Sequence, residues 1–215
     1  MTLLEIANAA ALRFVRQDAA TLELAKAYVR QRYSMLWDAH NWRQSLTTTT
    51  VAVPAATAEV DLGSSIERVL AVRWNSTVID GIDAGTALRL LPETFDQAGD
   101  PIGYIELPNT ATNSARLRLV QVPQEAGTLY VLGKLRCPGL PVDTSTPLLA
   151  GISSGLMSYA LGDLWSYEGQ ESKAGAKYSE AGQIATAAIG AELTASGVRP
   201  RLIPYAGIAD DLCDF

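Results

Sequence analysis

The chain has one histidine and two cysteines in 215 residues, and that scarcity removes much of the chemistry a protein of this size could carry. Cys137 and Cys213 lie far apart and form neither a disulfide framework nor a metal-ligand spacing, so both read as free thiols of a reducing compartment. His40 falls in a helical pattern among aromatic residues, where an imidazole packs or hydrogen-bonds far more often than it catalyses. No cluster of Cys, His or carboxylates has metal spacing. A Ser-His-Asp site would have to use His40, and no Gly-x-Ser-x-Gly turn is present. Gly151-Ile152-Ser153-Ser154-Gly155 lacks the Lys-Ser/Thr of a phosphate loop, and Gly81-Ile82-Asp83-Ala84-Gly85 does not open a parallel βαβ unit. The expectation is a protein with no catalytic residue, no cofactor and no metal.

Concentrated positive charge is lacking too. The formal net charge is -6, the 17 Lys and Arg residues are scattered, and no basic patch stands out for gripping phosphates, which disfavours sequence-specific DNA binding. There is no run of about 18 apolar residues of the kind a membrane span needs. Glu5 stands where a signal peptide would carry basic residues, so neither export by a standard signal nor membrane insertion is expected.

What is present is enough apolar material for a core: 48% of residues are hydrophobic and 19% charged, as in one elaborated globular domain or two small lobes. Leu3, Ile6, Ala10 and Phe14 recur at helical spacing over residues 2–15, with Thr2 as N-cap and Glu5 completing a capping box. Asp18 caps a second, longer helix running to about Trp42. Leu22, Ala25, Val29 and Leu36 trace one face of it, and Glu23, Lys26 and Arg30 the opposite one. Tyr28, Tyr33, Trp37 and Trp42 read as core and helix-crossing contacts, with a subunit contact as the minority reading.

Residues 47–53 and 59–62 read as a hairpin around Pro54. Residues 66–74 alternate without a clean polar side, which predicts a strand covered on both faces. A turn-rich connection bounded by Gly81 and Gly85 follows, then a helical turn begun by Pro92. Strands are expected at residues 103–107, 115–122 and 128–135. The β-rich part ends at 140–147 and gives way to helical runs at residues 152–165 and 171–193. These are rich in Gly and Ala; an interior Gly costs a helix about 1 kcal/mol relative to Ala, so tight helix packing is the expected compensation. The fold class is therefore α+β: a bundle of N-terminal (1–45) and C-terminal (147–196) helices, an inserted antiparallel β-sheet or sandwich (46–140), and an extended C-terminal tail (197–215). In the tail, Gly197, Pro200, Pro204 and Gly207 preclude a continuous helix, while Leu202, Ile203, Tyr205, Ile208, Leu212 and Phe215 are too apolar for a solvating end. They read as the anchors of a docking arm that orders on assembly. The layout is that of an assembly module.

The order of these features resembles a known family. A two-part N-terminal helix ending in Trp37 and Trp42, a threonine-rich first strand, Ile66-Glu67-Arg68-Val69-Leu70-Ala71-Val72, Pro92 to Asp96, and Pro101-Ile102-Gly103-Tyr104 come first. Then follow Leu117-Arg118-Leu119 leading to Pro123, Thr128-Leu129-Tyr130-Val131, Asp143-Thr144 before Pro147, and Tyr159-Ala160-Leu161. Together, over nearly the whole chain, they resemble the head-to-tail adaptor proteins of tailed bacteriophages. Gly133-Lys134 departs from the aromatic pair often found at the end of the last strand.

The resemblance implies a structural, non-enzymatic subunit of a ring, usually of twelve copies, in the virion neck, made in the host cytoplasm. The implied partners are the portal protein, reached by the C-terminal segments, and a tail or nozzle protein, faced by the β insert. Genomic DNA would pass through the lumen without base readout, and an acidic wall would let it slide. Two alternatives stay open: a phage tail-completion or terminator protein, and, in a different class, a small cytosolic enzyme or ligand-binding module using the β insert as a pocket.

Overall fold

The computed structural model describes residues 1–14, 18–89, 97–108 and 114–195. The turn expected at Pro92 and the C-terminal tail with its anchors lie outside the described residues. Helix α1 (Leu3–Phe14) starts on the expected capping box: the Thr2 amide donates to Glu5 Oε2 at 2.9 Å and the Glu5 amide to Thr2 Oγ1 at 3.3 Å. Helix α2 (Ala19–Ala39) starts on Asp18, whose Oδ1 accepts from the Thr21 amide at 2.7 Å. It stops three residues short of Trp42, with His40 as its C-cap.

Among the described residues seven strands follow: β1 (Leu46–Val53), β2 (Glu59–Asp61), β3 (Ile66–Trp74), β4 (Thr77–Gly81), β5 (Gly103–Leu107), β6 (Arg116–Val120) and β7 (Gly127–Leu135). A short helix, α3 (Ala84–Arg89), lies between β4 and β5, and the chain ends its described part in α4 (Ser153–Tyr167) and α5 (Glu171–Ala195). Gly169, at φ +73°, takes the left-handed conformation that lets α4 end and α5 begin two residues later.

The strands form one sheet in the order β1-β7-β3-β4-β5-β6-β2. Three sequence expectations are corrected here. First, β1 and β2 are not a hairpin: β1 pairs with β7 and β2 with β6, so consecutive strands hold opposite edges of the sheet. Ala56, at φ +59°, turns the chain between them and its amide donates to the Pro123 carbonyl, so the sheet curls until its edges meet through this link. Second, the sheet is mixed, because β5 runs parallel to β4, a strand the sequence reading passed over; a parallel pair needs a crossover, and α3 lies in it. Third, β3 is covered on one face only. Register shifts between Ile66 and Arg68 and between Val69 and Ala71 put Ile66, Val69, Val72 and Trp74 on the buried side, so the strict alternation of a regular strand is lost from the sequence.

The described residues form two cores. One is the bundle: Leu3, Ile6, Ala10 and Phe14 of α1, Ala25, Val29, Tyr33 and Trp37 of α2, and Ile152, Leu156, Ala160 and Leu164 around α4. Leu22 and Leu36, expected on the buried stripe, are only half-buried against it. The other fills the curled sheet with Val60, Ile66, Val72, Trp74, Ile79, Leu117, Leu119, Leu129 and Val131. Gly127 makes room in it, since a Cβ there would lie 2.3 Å from Trp74 Cζ2.

The helical glycines divide. Cβ atoms at Gly155 and Gly162 would meet Ile184 at 3.2 Å and Tyr178 at 2.7 Å, as tight packing of α4 on α5 requires. Gly175, Gly182 and Gly190 of α5 have nothing within 4 Å, so packing inside the subunit does not explain them.

Candidate interaction surfaces

Charged groups buried in the bundle hold its parts together. Lys26, expected on the solvent face of α2, is only 6% exposed. Its ammonium donates to Asp143 Oδ2 at 2.9 Å and to Glu23 Oε1 at 2.8 Å, and these two carboxylates hold its pKa above the ordinary lysine value. Asp143 lies in the connector between β7 and α4, which is strapped over the helices: Arg30 Nε donates to the Leu140 carbonyl, and the Leu3 and Leu4 amides donate to the carbonyls of Ser145 and Asp143. The connector thus satisfies amides that the first turn of α1 leaves open. Deeper in, Asp163 of α4 accepts both arms of the Arg32 guanidinium and the Tyr178 hydroxyl, while Arg32 lies 5.2 Å from the ring centres of both Tyr159 and Tyr178.

The bundle meets the sheet at a polar seam. Trp37 Nε1 donates to the Leu135 carbonyl and Lys134 Nζ to the Asp38 carbonyl, each at 2.9 Å, and Arg68 reaches Asn41 at 3.3 Å. Lys134 is 3% exposed, and burial pushes its pKa down. Here Gly133-Lys134 has a local reason: a Cβ at 133 would lie 2.9 Å from Ile66 Cγ2, and the next side chain is needed to bond the end of α2. Asp38, Glu67, Arg68, Glu106 and Lys134 line a cleft of about 350 Å³ at this seam.

Two outward surfaces stand out among the described residues. On the outer face of the sheet, Val78 is 69% and Tyr130 40% exposed, with the Arg73 guanidinium 4.4 Å from the Tyr130 ring centre. Beside α5, a groove of about 500 Å³ is lined by Trp42, Gln44, Ile184, Ala187, Ala188 and Ala191, with Arg43 and Glu192 at its edge. Glu192 Oε1 accepts the Arg43 amide at 2.8 Å, whereas its Oε2 is buried without a hydrogen-bond partner. Neither the groove nor the seam was legible in the sequence, because each joins residues far apart in the chain.

His40 stands at the end of α2 with its ring edge-on to Trp42, 5.2 Å between centres. Burial raises the pKa of the Cys137 thiol, the reverse of what a nucleophilic cysteine needs. The tail anchors Leu202, Ile203, Tyr205, Ile208, Leu212 and Phe215 lie outside the described residues. No helix among the described residues is long and apolar enough to cross a membrane.

The profile of the SU10 adaptor protein family matches residues 1–202. Curated protein sequences give no match. A helical bundle bearing an inserted sheet here has the sequence of a phage head-to-tail adaptor. The chain belongs to the SU10 adaptor protein family.

Proposed function

We propose that the protein is the subunit of a ring beneath the portal in the neck of a tailed phage, usually twelve copies, which joins capsid to tail and continues the DNA channel. The observation that carries this reading is the family match over residues 1–202. The bundle (residues 1–45 and 147–196) forms the ring wall, the insert (46–140) faces the tail or nozzle protein, and the arm (197–215) docks on the portal or a neighbour through Leu202, Ile203, Tyr205, Ile208, Leu212 and Phe215. Gly175, Gly182 and Gly190 support side-by-side packing, because they leave the outside of α5 low enough for another helix to come close. The net charge of -6 suits a wall past which DNA moves without sticking. No step of this role calls for catalysis.

Purified subunit mixed with purified portal rings tests the reading. Co-sedimentation as a closed ring on the portal is the expected result, with Leu202→Asp/Leu212→Asp reducing it at least tenfold. Subunit that ignores the portal at every concentration overturns the proposal.

A further inference from the structure

The two edges of the sheet are finished differently. β2 is three residues long and carries Glu59 and Asp61 at its ends, with Glu59 paired to Arg116; short, charged strands are one way a sheet keeps its edges from joining others. β1 has no such protection. Leu46–Val53 holds eight residues without charge, proline or glycine, and it pairs with β7 in an unbroken register without a bulge. Four of the eight are threonine and two are valine, residues that favour the strand conformation.

An antiparallel edge strand turns the N–H and C=O of every second residue away from its one partner. Among the described residues, no backbone group bonds the side of β1 that faces away from β7, and the link through Ala56 brings the two edges together only past Val53, without pairing β1 to β2. The inward-facing side chains agree. Val72 of β3, Leu117 of β6 and Val131 of β7 are buried, whereas Thr47, Thr49 and Val51 of β1 are only half-buried. A further strand would therefore both bond the edge and cover this side of the core. Backbone groups spaced in this way fit an extended chain. The occupant must bring no charge to the edge, and its inward side chains must be apolar or β-branched. β1 of a second copy meets both conditions, because an antiparallel edge can pair with itself about a two-fold axis. With the axis at Thr49, Thr48 faces Thr50, Thr47 faces Val51 and Leu46 faces Ala52. Each pair lies on one side of the sheet, no like charges oppose, and Thr47, Thr49 and Val51 of each copy cover those of the other.

We propose that two unassembled subunits pair antiparallel through β1, joining their sheets edge to edge. A two-fold contact closes on itself and cannot run round a ring, so this pairing belongs to the free subunit and stands apart from the ring reading. It also hides the edge through which free subunits would otherwise aggregate.

The test uses the full-length chain without portal. Sedimentation across a hundredfold range of concentration should show monomer passing to dimer. Thr48→Lys/Thr50→Lys, on the exposed side of the strand, sets like charges against each other across the axis and should weaken the dimer at least tenfold with the circular dichroism spectrum unchanged. In a Cys137→Ser/Cys213→Ser background, Thr49→Cys should give a disulfide between copies under mild oxidation, because antiparallel partners sit about 5 Å apart, within disulfide reach. Val78→Cys, exposed on β4 and two strands removed from the β1 edge by β7 and β3, should crosslink at least tenfold more slowly. Should the lysines disturb the fold, the two cysteine variants decide. A chain that stays monomeric throughout overturns the proposal, as does a dimer that folded lysine variants leave intact. A missing Thr49→Cys disulfide, or one no faster than that through Val78→Cys, overturns it as well.

Discussion

Lys26 shows how a residue type misleads when read alone. On a helical wheel it belongs with Glu23 and Arg30 on the wet side of α2, yet the connector crosses that side and supplies Asp143, so the ammonium is buried in an ion pair with two carboxylates. Its raised pKa fixes the sign of a pH effect. The charged form is favoured by folding, so the stabilisation is fully present below the unfolded lysine value of about 10.4 and is lost as pH rises through the higher folded value. Urea denaturation at pH 9 and 11 should therefore show a loss in the wild type that is smaller in Lys26→Met. Equal losses in the two proteins would remove the ion pair from the account. Asp163 gives a larger effect. Asp163→Ala leaves Arg32 and the Tyr178 hydroxyl without their acceptor and should cost about 2–3 kcal/mol, toward the low side for a broken buried pair because Arg32 keeps some water.

At the level of elements, what was readable was local. The capping box of α1, the Asp18 cap of α2, β5 and both C-terminal helices follow from residues within one or two turns of each other, and periodicity marks them. Pairing is a different matter. Nothing near β1 says that its partner is β7, 74 or more residues away, nor that β2 closes the far edge on β6. The bulges of β3 disguised a one-sided strand as a two-sided one, and β4 was hidden among turn signals. The glycines illustrate the same limit, since sequence cannot tell which are packed. Gly127→Ala should destabilise by about 1–3 kcal/mol, because Trp74 occupies the space. Gly182→Ala, on an open helix surface, should stabilise the free subunit by about 0.5–1 kcal/mol. Thermal or chemical denaturation of the two variants should move in opposite directions; movement in the same direction would contradict the placement of one of them.

At the level of the whole molecule, function was legible only in the order of weak motifs along the chain, which the family match then covered from residue 1 to 202. The arm anchors came from composition, and their partner is a matter for the binding experiments above. If the outside of α5 packs against the next subunit, Gly182→Trp should leave the free subunit folded, as circular dichroism would report, while ring formation on the portal falls at least tenfold. Normal rings with that indole in place would move the subunit contact elsewhere.

The sheet enters and leaves the bundle at one place. Leu46, the first residue of β1, is paired with Lys134, next to last in β7, and antiparallel partners sit only about 5 Å apart. The whole insert is thus a loop with its two feet together, carrying its own core. Replacing residues 46–133 by a few Gly and Ser should leave a bundle that still folds, with Trp37 bonded to the Leu135 carbonyl as before. A helical circular dichroism spectrum with a cooperative melt is the expected outcome, and a molten product would show that the bundle leans on the sheet. The architecture permits grafting: a lineage can exchange the inserted sheet for another without renegotiating the contacts that build the bundle.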